Sequence, residues 1–276
     1  MDRKSILEKL RAEVDAGRYI TAAGCGTGLS AICCEDGGCD LILGYNTAKY
    51  RMAGVSSLAG LMPYGDANAL TLELAAEIIP QLKKAPFIGG ICGTDPFRYM
   101  PGYLQELKNK GVAGINNWPS VGLIDGMFRE NLEGSGISLD QEVAVIKLAH
   151  EMDMLTAPFG YDPETTKDMV EAGADIIITM MGFTTGGKIG ARKARGLDGA
   201  VEDVQAIADT ARAINPDILV LAHGGPMSTA KDTEYVLHRT TNVHGFFGGS
   251  AMERFPNQVA QTAAVREFKD IKPAAS

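Results

Sequence analysis

Short apolar runs alternate with helical patterns along the whole chain of 276 residues. An opening helix is predicted because Ile6, Leu7, Leu10 and Val14 recur at helical spacing before Gly17. The predicted strands are 19–23, 41–45, 86–91, 112–116, 155–159, 175–180, 218–223 and 244–248. The predicted helices that follow them are 28–34, 69–82, 100–109, 140–152, 163–172, 201–214, 226–238 and 251–268.

Eight short apolar strands, each followed by a helical pattern, predict an α/β fold. The favoured architecture is a (β/α)8 TIM barrel with an N-terminal helix. About 250 residues is typical of this fold, so the length predicts a single barrel domain over residues 1–276. A doubly wound open sheet also fits the periodicity, because a hydrophobic pattern does not show whether a sheet closes.

The charge balance narrows the classes of partner. The 26 Lys and Arg residues against 34 Asp and Glu residues give a net charge of −8, which disfavours nucleic acid and anionic membranes as partners. The N-terminus lacks the apolar core of a secretory signal, and the odd count of five cysteines suggests reduced thiols. We therefore expect a cytoplasmic protein. The chain has no nucleotide-binding P-loop and no flavin signal.

Polar and glycine residues follow the seventh and eighth predicted strands. His223 lies at the carboxyl end of the apolar run 218–222, and of the four histidines it alone falls at the predicted barrel mouth. Active sites of this fold lie on the loops after the strands, often with a phosphate site after strands seven and eight. His223 is therefore a candidate for catalysis, or for holding its loop by hydrogen bonds. The predicted anion-binding residues here are Gly224, Gly225, Gly248, Gly249 and Ser250.

Other candidates lie on the remaining mouth loops. Arg51 and Arg254 could clamp a carboxylate or phosphate through paired hydrogen bonds. Asp95 could bind a metal or act as a base, but it could also cap the helix that follows it. Glu253 is either catalytic or a partner of the dipole of the last helix. The further predicted substrate-binding residues are Asn46, Asn116, Thr184 and Thr185.

Several long motifs occur in a fixed order, and together they resemble one family. They are Y-N-T-A-K-Y-R-M-A-G at 45–54, C-G-T-D-P-F-R at 92–98, G-F-T-T-G-G-K-I-G-A at 182–191, H-G-G-P at 223–226 and G-G-S-A-M-E-R-F-P at 248–256. The chain resembles the phosphoenolpyruvate hydrolase-like TIM-barrel proteins, which are similar to the phosphoenolpyruvate/pyruvate barrel superfamily. The resemblance implies an enolate chemistry, a divalent metal such as Mg²⁺ and a homo-oligomer. Met180 stands where the family usually carries a histidine, so the substrate is expected to differ.

These observations predict an enzyme that acts at the barrel mouth on a small phosphorylated or carboxylated oxo-acid. His223 would transfer a proton, Asp95 would be its partner or a metal ligand, and Arg51 or Arg254 would neutralise the substrate. The reaction would be hydrolysis of phosphoenolpyruvate or cleavage of a C–C bond through an enolate. The alternative is a non-catalytic ligand-sensing or assembly domain that keeps the anion pocket.

Overall fold

The computed structural model describes residues 2–192 and 195–274. In these ranges nine short parallel strands form one sheet, and helices cover its outer face. The strands are β1 (Ile20–Gly24), β2 (Leu41–Gly44), β3 (Phe87–Gly90), β4 (Gly114–Asn116), β5 (Leu155–Thr156), β6 (Phe159–Gly160), β7 (Ile176–Met180), β8 (Leu219–His223) and β9 (Gly245–Gly248). All eight predicted strands are confirmed, and one of them is divided.

The divided strand closes the barrel. β5 and β6 lie at opposite ends of the strand order, yet only Ala157 and Pro158 separate them in the chain. Ala157 N donates to Ile115 O at 2.9 Å on one side, and Pro158 O accepts from Ile178 N at 2.9 Å on the other. The segment therefore joins β4 to β7, and the open-sheet alternative is wrong. The ladder is interrupted here because proline has no N–H to donate.

A helix follows each predicted strand, as expected, and the mouth of the barrel contains two further helices. The helices are α1 (Arg3–Asp15), α2 (Gly28–Asp36), α3 (Asn46–Met52), α4 (Ala67–Ile78), α5 (Met100–Asn109), α6 (Gly126–Gly134), α7 (Leu139–Glu151), α8 (Pro163–Glu171), α9 (Leu197–Ile214), α10 (Ala230–Leu237) and α11 (Arg254–Lys269). The loops after β2 and β4 contain α3 and α6, which were not predicted. In the described ranges, no helix combines the length and apolar character that a bilayer span requires.

The predicted start of the helix after β8, the seventh predicted strand, is wrong. Pro226 lies in a turn, and α10 begins four residues later, at Ala230. Thr229 caps α10, because its side chain accepts from Asp232 N while the Asp232 carboxylate accepts from Thr229 N. This reciprocal capping box satisfies helix donors better than a proline can.

Alternation along the strands divides the core into two layers. Leu219 and Leu221 point into the barrel, whereas Val220 and Ala222 pack under the outer helices. His223 continues the inward set, since side chains two residues apart share a face of a strand. The two-residue alternation of the strand therefore points the imidazole of His223 into the barrel, at the carboxyl end of β8.

Helix α1 closes the opposite end of the barrel. Its Ile6 and Leu10 side chains join the inner core layer. Arg3 Nε lies 2.8 Å from Asp175 Oδ2, and Arg3 Nη2 lies 2.7 Å from Asp175 Oδ1. Asp175 also accepts from Thr156 N at 3.0 Å, so one carboxylate ties α1 to the divided strand.

We expect Arg3→Ala to lower the free energy of unfolding by about 2 kcal/mol, because it leaves a buried carboxylate without its cation. The matched control is Lys4→Ala, which removes an ion pair whose two side chains are both exposed. Urea unfolding of both variants measures the difference. Equal losses in the two variants would contradict the structural role of the Arg3–Asp175 pair.

Candidate active site

The barrel axis ends in a small cavity of about 30 Å³ at the carboxyl ends of the strands. This is space for roughly one or two water molecules. Residues in or shortly after six of the strands (β2, β4, β6, β7, β8 and β9) line it. They include Tyr45, Thr47, Arg51, Trp118, Phe159, Met180, Thr184, His223, Gly249 and Ser250.

His223 is a buried, neutral ring in the wall of this cavity. Its Nδ1 lies 2.7 Å from the carbonyl oxygen of Phe247, which can only accept, so Nδ1 carries the proton. The unprotonated Nε2 is then a hydrogen-bond acceptor. Phe247 stacks on the imidazole at a centroid distance of 4.4 Å. Burial lowers the pKa of His223 to about 4, against the opposing effect of the Phe247 carbonyl.

A buried ion pair lies beside the histidine. Arg51 Nε donates to Glu253 Oε2 at 2.9 Å, and Arg51 Nη2 donates to Gly24 O at 2.7 Å. Glu253 Oε1 accepts from Gly26 N at 2.7 Å. Burial alone would lower the pKa of Arg51, but the hydrogen-bonded Glu253 carboxylate opposes it, and the pKa stays above its usual value. Glu253 occupies the N-cap position of α11 without capping it, so its carboxylate serves Arg51 and not the helix.

Three functional groups converge on the bare Cα of Gly249. A methyl group built there would lie 3.2 Å from the Tyr45 hydroxyl, 3.3 Å from Arg51 Nη1 and 3.8 Å from His223 Cε1. Burial raises the pKa of Tyr45, so its hydroxyl stays protonated and can donate. The missing side chain of Gly249 therefore leaves a space faced by a cation, a hydroxyl donor and an imidazole.

The other paired glycines shape the loops. Gly224 and Gly225 have φ angles of 76° and 56°, and any side chain on them would meet the backbone carbonyls of Gly182 and Met181. Gly225 N donates to Gly182 O at 2.8 Å, so that N–H is already used. A side chain on Gly248 would meet Met252. Of the glycines predicted to bind an anion, only Gly249 lines the small cavity in the described part of the chain.

Arg254 is a second buried guanidinium, on the far side of the loop after β7. Its Nη1 donates to Gly186 O at 2.9 Å, and its plane lies over the Phe255 ring. Within residues 2–192 and 195–274, its buried Nη2 has no hydrogen-bond partner. Burial lowers its pKa, and Arg51 adds to the effect. Of the two predicted loop threonines, Thr184 lines the small cavity, whereas Thr185 N donates to Gly225 O at 3.1 Å.

Asp95 lies in a different place from His223. It lines a second cavity of about 510 Å³, formed by the loops after β2, β3 and β4. Its carboxylate accepts from Asn68 Nδ2 at 2.9 Å and from Phe97 N at 2.9 Å, and it lies 3.4 Å from Arg98 Nε. The expected Asp95–His223 pairing is therefore not formed. Asp95 is not the cap of α5 either, because Tyr99 occupies that position.

The two predicted asparagines hold backbone. Asn46 Nδ2 donates to Gly60 O at 2.9 Å, and Asn46 Oδ1 accepts from Thr47 N at 2.7 Å. Asn116 Nδ2 donates to Ala157 O at 2.7 Å. In the part of the chain that the structure describes, the buried Asn116 Oδ1 has no partner. Their predicted contacts with substrate stay predictions.

Sequence reasoning missed Glu142, a buried carboxyl between the cavities. It accepts from Asn117 Nδ2 and Ser120 Oγ at 2.7 Å each and from Val121 N at 2.8 Å. Burial raises its pKa to about 7, against these three hydrogen bonds. Leu139, Glu142, Val145 and Ala149 share the buried face of α7. An acidic residue on an otherwise apolar helical face was the signal that could have found it.

The sequence match spans nearly the whole chain. The model of the family described as phosphoenolpyruvate hydrolase-like matches residues 5–271. The chain belongs to this family.

Two tomato relatives (Solanum lycopersicum) share half of their matched residues with this family member. The chain is 50% identical to the ToMV susceptible protein tm-1(GCR26) over 266 residues, which cover 96% of this chain and 35% of the relative. It is also 50% identical to the ToMV resistance protein Tm-1(GCR237), covering 98% of this chain and 36% of the relative. The chain thus spans about a third of the length of these relatives.

Solved structures share the fold of this phosphoenolpyruvate hydrolase-like protein at low identity. A phosphonopyruvate hydrolase matches with a TM-score of 0.63 and 16% identity, over 98% of this chain and 88% of that one. Its complex with oxalate and Mg²⁺ matches with a TM-score of 0.59, 16% identity and the same coverage. An oxaloacetate acetylhydrolase matches with a TM-score of 0.60 and 14% identity, over 97% and 88% of the two chains. These likenesses confirm the predicted TIM-barrel fold.

The carboxylates at this mouth do not fit a magnesium site. Asp95 and Asp66 are held by Arg98 and by N–H donors, and Glu253 is paired with Arg51. In the described ranges, no group of three or more His, Cys, Asp or Glu residues is arranged to hold a metal. Mg²⁺ is usually held by one or two free carboxylates together with water and substrate, and these three carboxylates are already taken up by arginines.

The neutral state of His223 predicts how stability depends on pH. The pKa of a histidine in the unfolded chain is about 6.5, and burial lowers that of His223 to about 4. Its stabilising contribution is complete above pH ~6.5 and is lost as the pH falls from there towards 4, because the unfolded chain takes up the proton first. Burial also lowers the pKa of His244 to about 4, so the test uses a His244→Gln background.

In that background, His223→Gln should reduce the slope of unfolding free energy against pH by about 1.4 kcal/mol per pH unit between pH 4.5 and 6, on the order of one proton. Urea unfolding at several pH values measures the slope. The same slope with and without His223 would contradict a buried, neutral ring.

Proposed function

We propose that this protein is an enzyme that acts on a small oxo-acid at the barrel mouth. The reaction is phosphoenolpyruvate hydrolase-like hydrolysis, or hydrolytic or lytic cleavage of a C–C bond through an enolate. The observation that carries the proposal is the convergence of Tyr45, Arg51 and His223 on Gly249. The family and the hydrolases with the same fold support it.

The groups around Gly249 suit the carboxylate and oxo group of such a substrate. Arg51 stays charged and has its Nη1 towards the space, so it can bind a carboxylate or a developing enolate oxygen. The Tyr45 hydroxyl donates a second hydrogen bond to the same oxygen. Both groups are buried and held by neighbours, so they need little reorganisation when charge develops.

His223 Nε2 would move the proton. A neutral imidazole with a free Nε2 is an acceptor, so His223 takes a proton from the substrate or from an attacking water. The Phe247 carbonyl holds the tautomer and the ring orientation. Since Asp95 lies in the other cavity, its predicted partnership with His223 is withdrawn from the mechanism, and no step is assigned to a metal.

The size of the cavity favours a carboxylated group over a phosphorylated one. A space of about 30 Å³ accepts a planar carboxylate more readily than a tetrahedral phosphate. Met180, at the position usually held by a histidine in the family, further reduces the polarity of the wall. We therefore favour C–C bond chemistry on a 2-oxo acid over P–O hydrolysis.

Gly249→Ala should abolish binding of oxalate, a compact dicarboxylate probe, because the added methyl group fills the space that faces Tyr45, Arg51 and His223. Isothermal titration calorimetry measures the affinity, and a loss of about 100-fold or more is expected from displacing the charge-assisted contacts. The matched control is Gly134→Ala in α6, where a methyl group meets nothing within 4 Å. Unaltered oxalate binding in Gly249→Ala would remove this space from the proposed active site.

We further propose that the protein is a homo-oligomer in which α11 packs on a second copy. Arg254 is the one buried residue of α11, a fully described helix, and Val265 and Phe268 are 67% and 76% exposed. A groove of about 430 Å³ lies between α10 and β1. Helices α8 and α9 each pack beside the strand that precedes them. Helix α11 follows β9, but it does not fill the groove beside that strand. The α11 of a second copy, which exposes Val259, Val265 and Phe268, is the occupant of this groove.

Phe268→Glu should convert the oligomer to a monomer, because a carboxylate would be buried in the interface without a partner. Multi-angle light scattering during gel filtration measures the mass. Leu29→Glu, a similar change at an exposed apolar residue of α2, is the control and should leave the mass unchanged. A monomeric wild-type protein would contradict the proposal.

The alternative is a non-catalytic ligand-sensing or assembly domain. It is favoured by the tomato relatives, which carry names from virus susceptibility and resistance and are about three times as long as the match. Oxalate binding without turnover of any 2-oxo acid would select this alternative. The cytoplasmic location and the absence of nucleic-acid and membrane partners stay predictions from the cysteine count and the net charge of −8.

A further inference from the structure

The larger cavity at the mouth has no part in the chemistry assigned above. It measures about 510 Å³, within the range of about 300–1,000 Å³ that ligand sites occupy. The loops after β2, β3 and β4 form it, so it opens at the same end of the barrel as the small cavity. Its position and size therefore suit a ligand that the small cavity cannot contain.

One layer of residues separates the two cavities. Thr47 and Trp118 line the small cavity, and their chain neighbours Asn46 and Pro119 line the large one. Trp118 Nε1 donates to Thr47 Oγ1 at 2.8 Å, so this hydrogen bond joins the two halves of the partition. A ligand held in the large cavity lies one side chain away from the groups around Gly249.

The wall of the large cavity is mainly apolar. Leu61 contributes to it from the segment after β2, and Val121, Ile124 and Ile137 contribute from the segment after β4. At its edge the carboxylates of Asp66 and Asp95 share one guanidinium, that of Arg98, so the edge keeps an excess of negative charge that disfavours a further anion. Such a wall favours an uncharged hydrocarbon group over a phosphate, a sugar or a second carboxylate.

We propose that the large cavity binds the apolar side chain of the substrate, so that the substrates are 2-oxo acids with a branched aliphatic or aromatic side chain. The inference rests on the proposed function, which places the carboxylate and oxo group at Gly249. Because both cavities open at the same end of the barrel, the side chain leaves the small cavity at its mouth and crosses the Thr47–Trp118 partition into the large cavity. Substrate selection follows from the loops after β2, β3 and β4, while the reacting groups come from the ends of β2, β8 and β9.

The test compares pyruvate with 4-methyl-2-oxopentanoate, which carries the same reacting groups and three more apolar carbons. Calorimetric titration of the wild-type protein should give at least about tenfold tighter binding of the branched acid, since each buried methylene group contributes to affinity. Ile124→Trp narrows the large cavity and should reduce this ratio of affinities several-fold. Ile271→Trp, the same change at an exposed residue, should keep the ratio of the wild type.

Oxalate binding distinguishes a failure of the proposed function from a failure of this inference about the substrate side chain. If the wild-type protein binds neither oxalate nor either oxo-acid, the proposed function fails and this inference fails with it. If oxalate binds, but the branched acid has no advantage or keeps its advantage in Ile124→Trp, only the inference is overturned. Ile137→Trp, at a partly exposed position of the same wall, repeats the test should Ile124→Trp fail to fold.

Discussion

The mouth of this barrel depends on the buried ion pair between Arg51 and Glu253. The pair joins α3, which follows β2, to the start of α11, which follows β9. It also reaches the loop after β1, where Gly24 O and Gly26 N are its further partners. A buried pair of this kind costs desolvation, and it persists only where additional hydrogen bonds satisfy both ions. Here those bonds hold three loops in one arrangement around Gly249.

This arrangement explains why the mouth contains two different environments. Near the axis, the ion pair, Tyr45 and His223 face a space of about 30 Å³, whose wall also contains Trp118 and Phe159. On the side of β2 to β4, the loops diverge around about 510 Å³ with an apolar wall. Glu142 supports the region between them, since it holds Asn117, Ser120 and Val121 on one carboxylate. The same end of the barrel thus carries two cavities that differ in size and in the side chains that line them.

Much of the local structure could be predicted from residue patterns. The period of two along 219–223 places His223 inside the barrel, and the runs of apolar residues locate every strand. Predictions failed where one local sequence pattern is compatible with two structures. Pro226 can open a helix, but the Thr229–Asp232 capping box starts α10 later. Arg254 and Arg51 look alike in sequence, yet only Arg51 faces the small cavity, because Gly186 holds the other guanidinium.

The sequence by itself determined the fold class and the identity of the family, because strand periodicity and long ordered motifs are local properties of the chain. The tertiary structure alone decided which mouth residues meet. Asp95 lies after β3 and His223 ends β8, but they line different cavities, because Asn68 and Arg98 hold the Asp95 carboxylate in the larger one. The pairing of Arg51 with Glu253 joins residues 202 positions apart. Contacts of that range depend on how strands order around the barrel, and no local pattern in the chain encodes that order.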